Sequence, residues 1–203
     1  VGRVMAARGI ALDAAESWLQ PTLRALLPNP SVIQDMDRAA ERIADAVQGG
    51  ERIAIFGDYD VDGATSTALL SRFLGALVAE PLVHIPDRQK EGYGPNAGAM
   101  ESLAGRGAKL VITVDCGITA YAPLEAAAAL GLEVIVVDHH EAEPKLPPAQ
   151  AVVDPNRLDD DSGLGQLAAV GVAFLVAVAV NRVLRGRDWY DRAAGRPEPD
   201  LMQ

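Results

Sequence analysis

One cysteine in 203 residues, Cys116, leaves no partner for an internal disulfide, and a reducing, cytoplasmic setting is the expectation that follows. Aromatic residues are scarce, at 4%. Ala, Val, Leu and Ile must therefore fill the interior that a hydrophobic content of 49% promises, and that content excludes a disordered chain. Basic residues are also few: 18 Lys and Arg against 28 Asp and Glu leave a net charge of −10. An acidic surface repels phosphate backbones, which excludes the usual footprint of a stand-alone nucleic-acid binder. Two bound divalent cations would add four positive charges at one place and reverse the sign locally. No apolar run reaches the roughly 20 residues of a membrane span. The longest, Leu167 to Val180, has 14 residues broken only by Gly171 and reads as a buried core helix, so no membrane partner is expected. Val1 to Gln20 contains Asp13 and Glu16 and no continuous apolar core, so it does not read as a signal peptide. Internal repeats and low-complexity tracts are absent.

What is present is an alternation. The first fifty residues read as helical, with Ala40, Ile43, Ala44 and Val47 on one face of a helix over Asp37 to Val47 that Gly49-Gly50 stops. Short apolar runs follow at Ile53–Phe56, Leu82–Ile85, Leu110–Val114 and Val134–Val137, with a shorter one at Ala151–Val153. Continuous runs of this length suit strands buried on both faces. Between them lie helical spacings at Leu70, Phe73, Leu74 and Leu77, at Asn96 to Ala104 and at Leu124 to Leu130. Gly57 to Gly63, Pro144 to Pro148 and Asp154 to Gly165 read as loops, and Val170 to Leu184 as a closing apolar helix. The expected fold is α/β: a mostly parallel sheet flanked by helices on both faces, with an N-terminal helical segment. One domain is expected, with residues 1–50 as a helical extension, 51–185 as the α/β core and 186–203 as a polar tail.

The chemistry lies in where the acidic groups fall. The first strand runs into Asp58-Tyr59-Asp60-Val61-Asp62-Gly63, the third into Asp115, and the fourth into Asp138-His139-His140. Ligands of open α/β sheets bind at the carboxyl ends of strands, and three strands here deliver carboxylates or imidazoles to that edge. Clustered carboxylates repel each other and need a cation. Aspartate oxygens with one or two imidazoles suit Mn²⁺ or Mg²⁺ better than Zn²⁺. Two ions about 3.5–4 Å apart would clamp a phosphoryl group. Gly63 at the mouth of the next helix permits close approach of an anion to that helix N-terminus. Each piece has a plainer reading: Asp58 or Asp62 as a helix N-cap, and His139 and His140 as loop residues.

These motifs resemble the DHH phosphoesterase superfamily. Within it, Pro86-Asp87-Arg88 with Glu91-Gly92-Tyr93-Gly94, and Ala169 to Phe174, are similar to the RecJ-like family of single-strand-specific exonucleases. Asp35 to Ala39 and Asp154-Pro155-Asn156 fit the same pattern. The resemblance implies a DHH-type fold and two divalent ions. It implies Asp60 as a ligand of the first ion, Asp62 of the second, Asp115 as the bridging carboxylate and His139 as a further ligand. Asp58 assists the first metal or caps the turn. Asp138 orients a histidine, His140 contacts the scissile phosphate or assists the second metal, and Arg88 lies on the phosphate path. The family carries a further metal-binding Asp in a later motif, and the Pro199-Asp200-Leu201 setting does not look like it. The family's second lobe and nucleic-acid-binding barrel have no counterpart here either. The chain is therefore expected to be a fragment.

Three functions compete. The first is the catalytic domain of a 5′-to-3′ single-stranded DNA exonuclease, working with DNA repair or recombination proteins. The second is a phosphoesterase of short oligonucleotides, cyclic dinucleotides or pyrophosphate. The third is an inactive binding module, which would be expected to have lost ligands that this chain keeps. Cys116, His84, Trp18 and Trp189 read as packing residues, Asp159-Asp160-Asp161 as a solvated run, and Tyr93 as either packing or base-stacking.

Overall fold

The computed structural model describes residues 1–77, 80–191 and 193–201. Five strands form one parallel sheet: β1 (Ile53–Gly57), β2 (Leu82–His84), β3 (Leu110–Val114), β4 (Glu133–Val137) and β5 (Ala151–Val153), in the order β2-β1-β3-β4-β5. The period-2 geometry of a strand divides their side chains between two cores. Ile53, Ile55, Leu110, Ile112, Val114, Ile135 and Val137 face one side, and Ala54, Phe56, Val111, Val134 and Val136 face the other.

Helices cover both faces. The first core is closed by α4 (Met36–Gly49), α5 (Val61–Leu77) and α8 (Ala169–Gly186), and the second by α6 (Ala97–Gly105) and α7 (Tyr121–Ala129). The expected face of α4 is the buried one, with Ala40, Ile43, Ala44 and Val47 all below 2% exposed. Gly50 ends the helix in a left-handed conformation at φ 64°, which glycine adopts without penalty. Among the described helices α8 is long and apolar enough to cross a membrane. More than half of it is buried, packed between α4 and α5, as a core helix requires.

Before α4 come only short helices, α1 (Gly2–Ala7), α2 (Ala15–Leu19) and α3 (Leu23–Leu26), which leave Leu12, Leu19, Leu23 and Leu26 exposed. The segment after α8 is less detached than its polar composition suggests. Trp189, Tyr190 and Leu201 pack on the first core, and Glu198 pairs with Arg185 and accepts from Asn181 at 2.9 Å.

The edge strand β5 is shielded. Asp35 Oδ2 accepts the Val152 amide at 3.1 Å, and Arg157 Nη1 donates to the Val152 carbonyl at 2.6 Å and to Asp35 at 3.0 Å. An edge satisfied by side chains does not template a foreign strand. The sheet order reverses at β1, which lies between β2 and β3. In open α/β sheets the crevice at such a reversal is the ligand site.

Candidate metal centre

Gly57, Val114, Val137 and Val153 face one another in register across β1, β3, β4 and β5. On each strand the next residue is an aspartate: Asp58, Asp115, Asp138 and Asp154. The ladder extends one step further to hold them, with Asp58 N on Val114 O at 3.3 Å, Asp115 N on Val137 O at 3.0 Å and Asp138 N on Val153 O at 3.0 Å. All four are buried, at 4%, 1%, 0% and 0% exposure. A row of buried carboxylates is costly unless protons, hydrogen bonds or cations compensate it.

The compensation differs along the row. Asp138 is served fully by the chain: Oδ1 accepts the His139 amide at 2.8 Å and His140 Nδ1 at 2.7 Å, and Oδ2 accepts the Ile118 amide at 3.0 Å. Asp58 Oδ1, Asp154 Oδ2 and both Asp115 oxygens accept no hydrogen bond. Burial raises the Asp58 carboxyl above its ordinary range. Burial, then the neighbouring Asp60 carboxylate, pushes Asp115 up to about 8. Burial again, with the charge of Asp138 adding to it, brings Asp154 to about 7. Asp115 also has a left-handed backbone at φ 61°, which aspartate tolerates better than most residues.

Two groups of ligand atoms converge within 4.8 Å and share Asp115: Asp58, Asp60 and Asp115 in one, Asp115, His139 and His140 in the other. Asp60 belongs to the loop after β1, where its Oδ1 caps α5 by accepting the Asp62 and Gly63 amides at 2.9 and 3.0 Å. That cap explains why α5 begins at Val61, inside the stretch that reads as a polar turn. The two histidines differ in chemistry. His139 Nδ1 lies 3.0 Å from the Leu167 carbonyl, which only accepts, so Nδ1 carries a hydrogen and Nε2 is the nitrogen left for a ligand. That Nε2 faces Asp115 Oδ1 at 3.2 Å. His140 is hydrogen-bonded to buried Asp138, which raises it to about 9. It is therefore a cation at neutral pH and suits an anion better than a metal.

The donor set fits divalent metal ions. It offers partnerless buried carboxylate oxygens, one imidazole oriented through its Nδ1 and no thiolate, as hard or borderline cations such as Mn²⁺ and Mg²⁺ prefer. Cys116 is buried with its Sγ on the Val114 carbonyl at 3.4 Å, a packing role, and burial holds its thiol well above the ordinary range.

Two expected residues lie differently. Asp62 occupies the first turn of α5 and joins neither group of converging ligand atoms. The Gly63 amide, expected to face an anion, is taken by Asp60. The close approach that Gly63 permits is that of the Asp58 backbone, which an added Cβ would meet at 2.4 Å. Arg88 pairs with neither Asp87 nor Glu91, its acidic neighbours in the sequence. Lys90 pairs with Asp87, Glu91 binds His84 and the Asp87 amide, and Arg88 lies over the Tyr59 ring at 5.0 Å. Tyr93 reaches the Asp115 carbonyl with its hydroxyl at 3.3 Å. Sequence reasoning missed Asp154 as a member of the row. The signal was available, an aspartate directly after an apolar run, but the run is only three residues long.

The model of the DHH family, N-terminal domain, matches residues 52–194. The chain belongs to the DHH family. The Asp-His-His run lies at residues 138–140, where the Asp138 carboxylate holds His140 through Nδ1 and His139 turns Nε2 toward Asp115. The chain is similar to the single-stranded-DNA-specific exonuclease RecJ of Bacillus subtilis, with 46% identity over 152 residues, 75% of this chain and 19% of that protein. It is similar to that of Salmonella typhimurium at 38% identity over 202 residues, 99% of this chain and 34% of that protein. It spans about a third or less of the length of these relatives. The crystal structure of RecJ in complex with Mn²⁺ from Thermus thermophilus superposes with a TM-score of 0.71 at 34% identity, covering 96% of this chain and 25% of that one.

Proposed function

We propose that this chain forms the metal-binding half of a two-metal phosphodiesterase, the catalytic part of an exonuclease that removes nucleotides from the 5′ end of single-stranded DNA. One observation carries the reading. Buried carboxylate oxygens with no partner in the chain converge at the reversal point of the sheet, in two ligand groups that share Asp115. Only cations or protons relieve such a cluster, and a phosphodiester is the substrate class that two clustered cations serve. The likeness to single-stranded-DNA-specific exonucleases supports the choice of DNA as substrate.

Asp58, Asp60, Asp115 and His139 would hold Mn²⁺ or Mg²⁺, with Asp62 at their edge. When bound, two such ions supply Lewis-acid polarisation of the phosphoryl oxygens and an acidified water. Asp115, common to both groups, sets their spacing. Asp138 holds His140 as a cation, and His140 holds its Nε2 proton toward the anionic phosphate. Arg88, kept on the Tyr59 ring, presents a guanidinium along the strand's path. Residues 51–185 would form the catalytic core, with 1–50 as a helical extension and 186–203 as a polar tail. A cytoplasmic setting and association with repair or recombination proteins accord with this activity.

The test is calorimetric titration of Mn²⁺ into the chain beside Asp115→Ala, followed by an assay on 5′-phosphorylated single strands. Two ions per chain, lost in the variant, is the expected result. No binding by folded protein would overturn the metal reading. Faster turnover of a dinucleotide than of a long strand would overturn the choice of substrate.

A further inference from the structure

We propose that Asn156 is a positioning residue for His139, and that the segment from Asp154 to Leu167 serves to hold that imidazole in one tautomer. The proposal deepens the metal reading and rests on it only for the consequence to metal affinity.

Asn156 sits half-buried just past β5. Its own amide donates to Asp154 Oδ1 at 2.8 Å, which fixes the turn out of the strand. The two hydrogens of its side-chain amide are both used: Nδ2 donates to the His139 carbonyl at 2.5 Å and to the Gly165 carbonyl at 3.1 Å. One side chain therefore clamps the main chain of the Asp-His-His loop to the far end of its own loop. Two residues beyond Gly165, the Leu167 carbonyl receives His139 Nδ1 at 3.0 Å. Leu167 is held in turn by its amide on Leu164 O at 2.9 Å. The carbonyl that selects the tautomer is thus placed by the clamp. With the hydrogen on Nδ1, the Nε2 lone pair faces Asp115 Oδ1 at 3.2 Å. Two acceptors facing at that distance require a proton or a cation between them, as a metal-ligating pair does. The clamp also accounts for Gly165, because a Cβ there would lie 2.3 Å from Asn156 Oδ1. A side chain there would have to push the amide aside.

The chain has three histidines, so long-range ¹H–¹⁵N spectra of the full metal-free chain resolve each imidazole. The expected wild-type signature is a single Nδ1–H tautomer for His139. Asn156→Ala, folded by circular dichroism, should give a mixture of tautomers. It should leave His140 unchanged and weaken Mn²⁺ binding about 10- to 100-fold, the usual cost of losing an orienting partner. Gly165→Ala disturbs the same clamp from the other side and should reproduce both effects. The double variant, which removes the clash, should be no worse than Asn156→Ala alone. An unchanged His139 signature in either folded single variant overturns the proposal. A wild-type chain that binds no Mn²⁺, with a tautomer that still depends on Asn156, would overturn the metal reading and support the clamp.

Discussion

The Asp60 carboxylate accepts the Gly63 amide at 3.0 Å, so one side chain both caps α5 and stands among the ligand atoms of Asp58 and Asp115. The Gly63 amide is also the main reason the Asp60 carboxyl lies below its ordinary range, which keeps it charged and ready for a cation. The two duties separate by substitution. Asp60→Asn retains an oxygen for the cap and loses the charge. Metal-free stability in urea should stay within about 0.5 kcal/mol, while calorimetric Mn²⁺ affinity falls at least tenfold. Asp60→Ala should lose the affinity and about 1 kcal/mol of stability besides. Equal destabilisation by both variants would show that the cap does not depend on that oxygen.

The metal-free protein should lose stability as pH rises. Asp115 at about 8 and Asp154 at about 7 are both raised above an unfolded carboxyl at 3.8. His140 at about 9 is raised above 6.5. In every case the folded state binds the proton more tightly. The contribution is therefore full below the unfolded value and is lost as pH passes the folded one. Between pH 5 and pH 9 the urea midpoint should fall, and Asp115→Asn should flatten the part of that fall below about pH 8. Mn²⁺ held by Asp115 would displace that carboxyl's proton, so its affinity should rise over the same range and its binding at pH 7 should release protons. A midpoint that climbs with pH in the absence of metal would contradict this assignment.

Much of this centre is legible in the sequence because its geometry is local. A buried parallel strand reads as a continuous apolar run, and the residue after the run lies at the sheet's carboxyl edge, so Asp58, Asp115 and Asp138 are placed by counting. The face of α4 is legible for the same reason. What is not legible depends on pairing across distance. That Asp138 takes His140 while Leu167 takes His139 depends on a loop closing 28 residues away. That Asp60 rather than Asp62 caps α5 depends on which carboxylate the first turn folds back upon. Asp154 reads as the start of the loop that runs to Gly165, and only the pairing of Val153 with Val137 sets it beside Asp138.

Gly63 is a steric requirement. A Cβ there would meet the Asp58 carbonyl oxygen at 2.4 Å and its nitrogen at 2.6 Å, and backbone cannot rotate away as a side chain can. Gly63→Ala should push α5 from the Asp58 backbone and separate Asp58 from Asp60. We expect a loss of about 1–3 kcal/mol, the usual cost of overpacking, with Mn²⁺ binding reduced at least tenfold. Gly75→Ala meets nothing within 4 Å in the same helix and should be neutral or stabilising by urea unfolding. Equal behaviour of the two variants would remove the steric account.

Asp35 tests whether the β5 edge is structural and independent of the metal centre. Its Oδ2 joins the Val152 amide to Arg157, whose side chain is 7% exposed and whose Nη1 also serves the Val152 carbonyl. Asp35→Ala leaves an edge amide and part of a buried guanidinium unpartnered, and such losses cost about 1–3 kcal/mol. Asp159 still holds the other side of Arg157, at 2.9 and 2.6 Å, so the cost should lie at the lower end of that range. The bared Val152 amide also offers a pairing site to another chain, so sedimentation should show concentration-dependent association that the wild type lacks. Asp35 joins neither ligand group, so Mn²⁺ affinity should stay within twofold. Removing Arg157 as well, as Asp35→Ala with Arg157→Met, eliminates the stranded charge. The double variant should therefore cost less than the sum of the two single ones. Additive costs would mean that Asp35 and Arg157 act separately, and that the edge is protected by something other than their pairing.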